Sequence, residues 1–249
     1  MEPSKPRDVP LSRIAEWREQ WPVKSFLKSI SGAALNNLIK AGEIRTIPRN
    51  AVLIREGDSN SEIFLLLSAC VKVTARTASG KQALLAVRIG GDIVGELSAV
   101  DGDARNATIV SCSREEGAAV VLSRADFEQA LSEHPTALVE LTASVSRKLR
   151  ASTRRRVDFI DCPVEVRLAR VLVELADDHG QRIRGQYVIG VNLTQLELGT
   201  LVGVAEPTAQ RALRELRRQG LVITEGRRPA VPDLRALRTF TEGGAQPLI

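Results

Sequence analysis

The spacing of apolar residues changes twice along the chain, and this change constrains the fold more than any other feature. From about residue 44 to 122, short β-rich runs are separated by turn signals such as Ser79-Gly80 and Gly90-Gly91. Several short strands at this spacing predict a β-sandwich or barrel. Residues 25–43 and the segments after 122 carry apolar side chains at helical spacing instead. The sequence therefore predicts an α+β chain with one all-β region between helical segments.

The longest helical pattern covers residues 135–160. Leu138, Leu141, Val145 and Leu149 recur at close to 3.5-residue spacing, which suits either a dimer seam or an ordinary core face. Pro163 breaks this pattern and marks a domain boundary.

Composition narrows the function classes. The 249 residues are 43% hydrophobic and 26% charged, which fits one large or two modest globular domains. The absence of an apolar run of about 18 residues, and of an apolar segment near the start, predicts a cytoplasmic protein without a membrane partner. The three cysteines are widely spaced and form no metal-ligand pair, so we expect a reducing compartment and no metal.

Charge permits an anionic partner. The net charge is +5, and aromatic residues are only 3% of the chain, which argues against stacking platforms for single-stranded nucleic acid.

The segment from Gln195 onward predicts two helices joined by a short turn. Gly199 lies where the helices would cross closely, and Gly203 lies in the turn, where a positive φ is needed. Ala209 and Ala212 are small residues that would face the crossing. This spacing is typical of a helix-turn-helix.

Arginines follow this pattern in two groups. The second helix would present several to solvent, and VITEGRRPAVP predicts a β-turn-β wing with Gly226 at its tip. Such an arrangement suits a helix in the major groove with cations near phosphates, while the alternative is a solvated helical face. The cations are Arg211, Arg214, Arg217, Arg218, Arg227 and Arg228.

The segment GELSAVDGDARNA at residues 95–107 contains two glycines and lies between apolar runs. It carries the carboxylate of Glu96 and the guanidinium of Arg105. Arg105 provides a planar fork matched to phosphate oxygens, and Glu96 provides an acceptor for a ribose hydroxyl. A short helix starting at residues 97–99 would present backbone N–H groups to an anion. The loop makes chemical sense as a binding site for a ribose-phosphate ring.

The longer stretch GGDIVGELSAVDGDARNATIV resembles the phosphate-binding cassette of cyclic-nucleotide-binding domains. With the long helix and the helix-turn-helix, about residues 26–240 resemble the CRP/FNR family of bacterial transcription regulators, the cyclic-AMP receptor protein branch in particular. The resemblance implies a cyclic-nucleotide-binding β-roll of the jelly-roll type, a long dimerisation helix and a winged helix-turn-helix. The implied domains are an N-terminal extension at 1–25, the β-domain at 26–134, the dimerisation helix at 135–162 and the DNA-binding domain at 163–249.

By position, the resemblance assigns the ribose contact to Glu96 and the phosphate contact to Arg105. Asn106 stands where the family usually has Ser or Thr, and Ala69 stands where it has a glycine. The hydroxyls that contact adenine fall on Ser152 and Thr153, and in the family they come from both subunits, which favours the dimer seam. The implied ligand is cyclic AMP, with cyclic GMP as the alternative, and the implied ligand-binding residues are Gly95, Glu96, Leu97, Ser98, Arg105, Asn106, Ser152 and Thr153.

The start of the recognition helix departs from the family, which usually has Ser-Arg-Glu-Thr where this chain has Ala205-Glu206-Pro207-Thr208. We therefore expect a different operator. Glu206 would either accept a hydrogen bond from a cytosine N4 amino group, or only interact favourably with the helix dipole without contacting a base. The implied DNA-binding residues are Thr194, Glu206, Pro207, Thr208, Gln210, Arg211, Arg214, Arg227 and Arg228.

These features predict a homodimeric transcription regulator in which the ligand sets the spacing of two recognition helices on double-stranded DNA. RNA polymerase is a further predicted partner. One alternative keeps the fold and binds DNA without a cyclic nucleotide or senses another molecule. A nucleotide-processing enzyme is the other, and it is disfavoured because no Ser-His-Asp, Cys-His or His-rich cluster is present, so we predict no catalytic residues.

Overall fold

The computed structural model describes residues 9–113, 115–225 and 228–243. The chain divides into two units, Met1–Lys148 and Leu149–Ile249. Arg227 and Gly226 of the predicted wing lie outside the described residues.

From residue 9 onward, where the described part of the chain begins, three short helices precede the strands: α1 (Leu11–Gln20), α2 (Phe26–Ser29) and α3 (Gly32–Ala41). The helical spacing over 25–43 is thus divided between two helices. The division falls at Ser31, whose backbone is extended and whose hydroxyl accepts a hydrogen bond from the Ala34 N–H at 3.2 Å, as an N-cap does. The indole N–H of Trp21 donates to the Leu67 carbonyl at 2.8 Å, so the segment after α1 is tied to the β-domain.

Eight strands form two antiparallel sheets in the first unit, in the orders β1-β8-β3-β6 and β2-β7-β4-β5. Strand β3 alternates as the period of two requires: Ile63 and Leu65 pack with the helices, while Phe64 and Leu66 pack between the sheets. The strands are β1 (Glu43–Ile47), β2 (Val52–Ile54), β3 (Ile63–Leu66), β4 (Val71–Arg76), β5 (Gln82–Arg88), β6 (Ile93–Val94), β7 (Thr108–Ser111) and β8 (Gly117–Leu122).

Ala69 replaces a family glycine without disturbing the sheets. It is fully buried, and a Cβ added to Gly117 would lie 2.5 Å from the Ala69 Cα. The missing side chain at Gly117 therefore makes the room that the methyl group of Ala69 needs.

Three helices complete this part of the chain: α4 (Glu96–Asp101), α5 (Arg124–Ser132) and the long α6 (Pro135–Asp161). The apolar residues of α6 are divided between a buried face and an exposed face of the helix. Leu141 is buried in the core with Ala137, whereas Leu138 and Leu149 are 52% and 67% exposed. The interpretation of Leu138, Leu141, Val145 and Leu149 as one stripe is corrected accordingly: Leu141 is a core residue of the first unit.

The second unit contains α7 (Val164–His179), α8 (Gln195–Leu201), α9 (Glu206–Arg218) and α10 (Leu234–Gly243). A sheet of order β11-β12-β10-β9 accompanies them, formed by β9 (Gly180–Ile183), β10 (Gln186–Ile189), β11 (Ile223–Glu225) and β12 (Arg228–Val231). Strands β11 and β12 are the predicted wing, and α8 and α9 are the predicted helix pair. Helix α10 was not predicted; its Arg238 forms an ion pair with Asp177 of α7.

The predicted α+β architecture is confirmed: a β-sheet domain, helices and a C-terminal helix-turn-helix follow in this order. Within the described part of the chain, every helix is too short or too polar to cross a membrane.

Candidate ligand-binding loop and DNA-binding helices

Gly95 connects β6 to α4 at a position that only glycine satisfies. Its φ is +86°, in the left-handed region. A Cβ at this position would lie 2.7 Å from the Glu62 carbonyl oxygen, 2.9 Å from the Ile54 Cδ1 and 3.0 Å from the Arg105 Nη1. The missing side chain allows the Arg105 guanidinium to approach the backbone of the loop.

All three guanidinium nitrogens of Arg105 donate to acceptors in the same unit. Nε donates to Asn60 Oδ1 at 2.9 Å, Nη1 to the Gly95 carbonyl at 2.8 Å and Nη2 to the Glu62 carbonyl at 2.5 Å. The backbone is held as well, since the Arg105 N–H donates to the Asp58 carbonyl and the Gly57 N–H donates to the Arg105 carbonyl.

Arg105 is only 3% exposed. Burial lowers the pKa of its guanidinium, and the carboxylates of Glu62, Asp58 and Glu96 oppose this shift. Since arginine begins far above neutral pH, the side chain remains a fixed cation in a site shielded from water.

Glu96, the first residue of α4, is ion-paired with Lys148 of α6. The Lys148 Nζ lies 2.8 Å from the Glu96 Oε1 and also donates to the Ile93 carbonyl at 2.7 Å. The glutamate side chain is 5% exposed and the lysine side chain 23%. A carboxylate this deeply buried requires such a partner.

Sequence reasoning missed Lys148, Asn60 and the Glu62 carbonyl. A signal for Lys148 was present: it follows the buried Leu141 by seven residues, or two helical turns, so it shares the core-facing side of α6. A charged residue on the buried face of a helix needs a partner of opposite charge. No comparable signal marked Asn60, which lies in a loop between strands.

The structure brings Gly95, Glu96 and Arg105 together, as predicted. Of the neighbouring candidates, Ser98 is buried, whereas Leu97 and Asn106 are exposed. Ser152 and Thr153 are exposed residues of α6 that belong to the second unit.

The loop holds two cations that a small anion would meet. Lys148 contacts Glu96 and Arg105 contacts the adjacent Gly95, and the carboxylates of Glu62 and Asp58 also act on Arg105. A cyclic phosphodiester carries one negative charge. The first turn of α4 adds backbone N–H groups that a helix leaves without an intrahelical acceptor.

The helix-turn-helix depends on its glycines, as the sequence predicted. Gly203 has a φ of +70° in the turn. A Cβ on Gly199 would lie 2.8 Å from the Val204 carbonyl oxygen and 3.4 Å from the Ala209 Cβ. Ala209 and Ala212 are both buried, so the small side chains set the distance between α8 and α9.

The two helices start differently. Thr194 caps α8 in a capping box: its hydroxyl accepts from the Glu197 N–H at 3.1 Å, and the Glu197 carboxylate accepts from the Thr194 N–H at 2.8 Å. Helix α9 has Ala205 at its N-cap without a side-chain hydrogen bond, and Pro207 in its first turn. Glu206 accepts from the Gln210 amide at 3.4 Å.

Helix α9 exposes most of the predicted cations. Arg211, Arg214 and Arg217 are exposed, and Arg211 donates to the Thr208 hydroxyl at 3.4 Å. Arg218 is bound on both sides of its fork by Glu215, and hydrogen bonds from Arg218 and Gln219 lower the pKa of the Glu215 carboxyl to about 2. Arg218 is therefore partly neutralised within its own helix.

The remaining DNA-binding candidates are the two arginines of the predicted wing. Arg227 lies outside the described residues, and Arg228 begins strand β12. Over residues 9–113, 115–225 and 228–243, no three His, Cys, Asp or Glu side chains come together as metal ligands would.

Comparisons with known proteins identify the domains that contain the loop and the helix pair. The family described as cyclic nucleotide-binding domain matches residues 44–134, and the Crp-like helix-turn-helix domain matches residues 166–240. Together these domains define a transcription regulator that combines a nucleotide-binding β-domain with a DNA-binding helix-turn-helix.

Three relatives illustrate the likeness. The chain is 26% identical to a CRP-like cAMP-activated global transcriptional regulator of Mycobacterium tuberculosis over 85% of this chain and 94% of the relative. It is 25% identical to the cAMP-activated global transcriptional regulator CRP of Escherichia coli, over 74% and 87%. The c-di-GMP-responsive regulator CLP of Xanthomonas campestris shares the fold, with a TM-score of 0.68 at 20% identity over 82% and 100%.

The chain belongs to the CRP/FNR family of transcription regulators. Its relatives are regulators of transcription and not enzymes, in agreement with the prediction from sequence.

Proposed function

We propose that the protein is a homodimeric DNA-binding transcription regulator gated by a cyclic nucleotide, with cyclic AMP as the ligand. The observation that carries this proposal is the pair of buried side chains Glu96 and Arg105 in one loop of the β-domain, with Lys148 of α6 bound to Glu96. A carboxylate, and two cations that contact the adjacent residues Gly95 and Glu96, match the ribose hydroxyl and the phosphodiester of one small ligand.

In the proposed complex, the ribose 2′-hydroxyl donates to Glu96. The phosphodiester accepts from Arg105, from backbone N–H groups at Leu97 and Ser98, and from the exposed Asn106 amide. Ser152 and Thr153 contact the base. Because Lys148 already pairs with Glu96, the ribose hydroxyl must share this contact or replace it.

Cyclic AMP is favoured over other nucleotides by the relatives in Mycobacterium tuberculosis and Escherichia coli, which are cAMP-activated by name. Cyclic GMP is the alternative. The c-di-GMP-responsive regulator from Xanthomonas campestris extends the choice to a larger nucleotide on the same fold.

A second candidate is a regulator of the same fold that binds DNA without a cyclic nucleotide or senses another molecule. One observation favours it: every guanidinium nitrogen of Arg105 already donates to an acceptor of the protein. A ligand would have to use the remaining N–H groups of the fork or displace one of these bonds.

The proposed dimer uses the outer face of α6. Leu138 and Leu149 are exposed there, and further along the helix Ile160 is 80% exposed. A seam between two helices requires spacings of three, four or seven residues. The positions on this face that follow such spacings are Leu138, Thr142, Val145, Leu149, Arg156 and Ile160. A second copy of the chain would cover these side chains.

The proposed DNA interface is centred on α9. The candidates on its first two turns or its exposed face are Glu206, Pro207, Thr208, Gln210, Arg211 and Arg214. Thr194 is at the start of α8, and Arg228 begins β12. Arg227, which lies outside the described residues, is proposed from the sequence alone. Positive charge supplies affinity for phosphates, and the first turns of α9 meet base edges. RNA polymerase is proposed as a further partner and the cytoplasm as the compartment.

Calorimetry of the full chain with cyclic AMP, cyclic GMP and c-di-GMP tests the ligand. We expect cyclic AMP to bind the wild type, and Arg105→Leu or Glu96→Gln to lose about 2–3 kcal/mol of binding free energy, or about 30- to 150-fold in affinity. Arg76→Leu, which removes an exposed arginine at the end of β4, is the matched control. Circular dichroism verifies that each variant is folded.

Equal affinity of the wild type and both site variants would reject the site, and binding of none of the three nucleotides would favour the second candidate. Selection of DNA sequences with and without cyclic AMP tests the gating. Enrichment of a two-fold symmetric site only in the presence of ligand is the expected result, and equal enrichment in both samples would contradict it.

A further inference from the structure

Two cysteines meet where β4 and β7 lie side by side. Cys70 directly precedes β4 and Cys112 directly follows β7. The antiparallel register pairs Val71 with Ser111, so Cys70 and Cys112 are the next opposed pair. The Cys112 N–H donates to the Cys70 carbonyl at 2.8 Å, and the two Sγ atoms are 3.1 Å apart.

This backbone geometry suits a covalent link. Directly opposed residues of an antiparallel pair have Cα atoms about 4.5–5.5 Å apart, within the range of about 4.4–6.8 Å that disulfides span. Both side chains lie on the same face of the sheet, because opposed residues share a face. Forming the bond shortens the distance between the two sulfurs from 3.1 Å to about 2.05 Å, which side-chain rotation together with a small approach of the two strands provides.

The neighbouring contacts hold the pair in place. The Cys70 N–H donates to the Ser113 hydroxyl at 2.8 Å, which fixes the chain just beyond β7 against the start of β4. Both cysteines are partly exposed, so a small reagent reaches them.

We propose that Cys70 and Cys112 form a reversible intramolecular disulfide, a modification site that joins β4 to β7. The oxidant is a low-molecular-weight disulfide such as oxidised glutathione. One protein thiolate attacks a glutathione sulfur, forms a mixed disulfide and releases one glutathione thiolate. The second protein thiolate then attacks the protein sulfur of the mixed disulfide and releases the second glutathione thiolate.

The electrons and protons balance in this exchange. Two protein thiols are oxidised to one protein disulfide, and one glutathione disulfide is reduced to two glutathione thiols, which take up the two protons. The hydrogen bond with Cys112 and burial both raise the pKa of the Cys70 thiol, with a smaller opposing effect of Lys72. Because a raised pKa lowers the thiolate fraction, exchange at neutral pH is slow and calls for long incubation.

The link would enclose the candidate ligand loop. The segment between Cys70 and Cys112 contains β4 to β7, with α4, Glu96 and Arg105 inside it. Closing this segment restricts the unfolded chain, so the oxidised protein should unfold at a higher temperature than the reduced protein.

The third cysteine provides an internal control. Cys162 lies in the second unit, where the Arg170 Nη1 is 3.3 Å from its sulfur. Full-length protein is incubated with excess oxidised glutathione or with reduced glutathione, denatured in excess N-ethylmaleimide and weighed by mass spectrometry. We expect three maleimide adducts on the reduced protein; on the oxidised protein we expect Cys70 and Cys112 to be unlabelled, with a loss of two hydrogens.

Digestion should yield one peptide pair cross-linked through Cys70 and Cys112, and dithiothreitol should restore both labels. The Cys162→Ser variant should keep the cross-link, whereas Cys70→Ser and Cys112→Ser should each abolish it. The cross-linked wild type should unfold several degrees above its reduced form, and the Cys70→Ser variant should show no such difference.

Three results would overturn the proposal: full maleimide labelling of Cys70 and Cys112 after long oxidation, stable glutathione adducts on both cysteines, or a disulfide between two chains. Each of these would show that the two sulfurs do not form the intramolecular bond.

Discussion

Lys148 and Glu96 form an ion pair of 2.8 Å that links the long helix α6 to the first residue of α4, and the glutamate side chain is almost completely buried. The lysine also donates to the carbonyl of Ile93, the first residue of strand β6. One side chain of α6 thus contacts both the start of β6 and the acidic group of the candidate ligand loop.

Replacing Lys148 by methionine should destabilise the protein. The buried Glu96 carboxylate would lose its ion-pair partner, and we expect the free energy of unfolding to fall by about 1–3 kcal/mol, less than for a fully buried pair because the lysine is partly exposed. Urea unfolding measures the change. Lys24→Met, at an exposed lysine, should stay within about 0.5 kcal/mol of the wild type.

A double variant separates this effect from lost packing. In the Lys148→Met background, Glu96→Gln removes the unpaired charge and should recover part of the lost stability. Strictly additive losses would show that the ion pair does not couple these residues.

Gly95→Ala should be more costly than Gly80→Ala. Both glycines have positive φ, +86° and +78°, but a Cβ at Gly80 meets nothing within 4 Å, whereas at Gly95 it would contact the Glu62 carbonyl. Gly80→Ala therefore reports the backbone cost alone, about 1 kcal/mol. We expect Gly95→Ala to lose about 1–3 kcal/mol more in thermal or urea unfolding. Equal losses in the two variants would mean that the loop yields to the added methyl group.

Gly199→Ala tests the crossing of α8 and α9. Alanine normally stabilises a helix interior by about 0.5–1 kcal/mol relative to glycine. Here the added carbon would lie 2.8 Å from the Val204 carbonyl oxygen, so we expect a net loss of about 1–3 kcal/mol and weaker DNA binding. Gly243→Ala, at the end of α10 with no atom within 4 Å, is the control and should be nearly neutral. Unfolding and DNA titrations measure both; a more stable Gly199→Ala protein would contradict the close crossing.

Leu149→Lys should weaken the proposed dimer. The side chain is 67% exposed in the single chain, and a lysine there would set a charge against its counterpart in a second copy. Sedimentation velocity should show a shift toward monomer over the concentration range in which the wild type is dimeric. Val23→Lys, at an exposed valine outside α6, should leave the mass unchanged. An unaltered mass for both variants would exclude this face of the helix.

Arg211→Ala should reduce affinity for the selected operator by about 1–3 kcal/mol if the side chain contacts a base. Fluorescence anisotropy with the operator and with single-base variants measures the loss, and Arg76→Ala serves as the control. A base contact predicts relaxed preference at one position. An equal loss on every sequence would identify a phosphate contact instead.

Local pattern predicted much of the fold because the spacing of apolar residues reports directly on helix and strand. Helix α6 ends just before Pro163, which was predicted to break it, and Gly203 has the positive φ that its turn position required. The break at Ser31 was missed, since the apolar spacing continues across it while the serine cap interrupts the helix.

The site was predictable only where its residues are close in sequence. Glu96 and Arg105 share one loop, so their chemistry was visible together. Lys148 reaches the loop across 52 positions of the chain, and the carbonyl of Glu62 has no side-chain signal at all. The spacing left Leu141 open between a dimer seam and a core face, because a spacing of 3.5 residues does not distinguish the core face of a helix from its outer face; the structure places Leu141 in the core.

Arg105 is held by five hydrogen bonds, three from its guanidinium and two through its own backbone. The side-chain torsions of Arg105 are therefore ordered before an anion binds. The entropic cost of losing rotamer freedom, roughly 2 kcal/mol for a free arginine, is a cost of folding and not of ligand binding. An anion that enters the loop meets a preorganised cation, so that little of the intrinsic attraction is lost to conformational entropy.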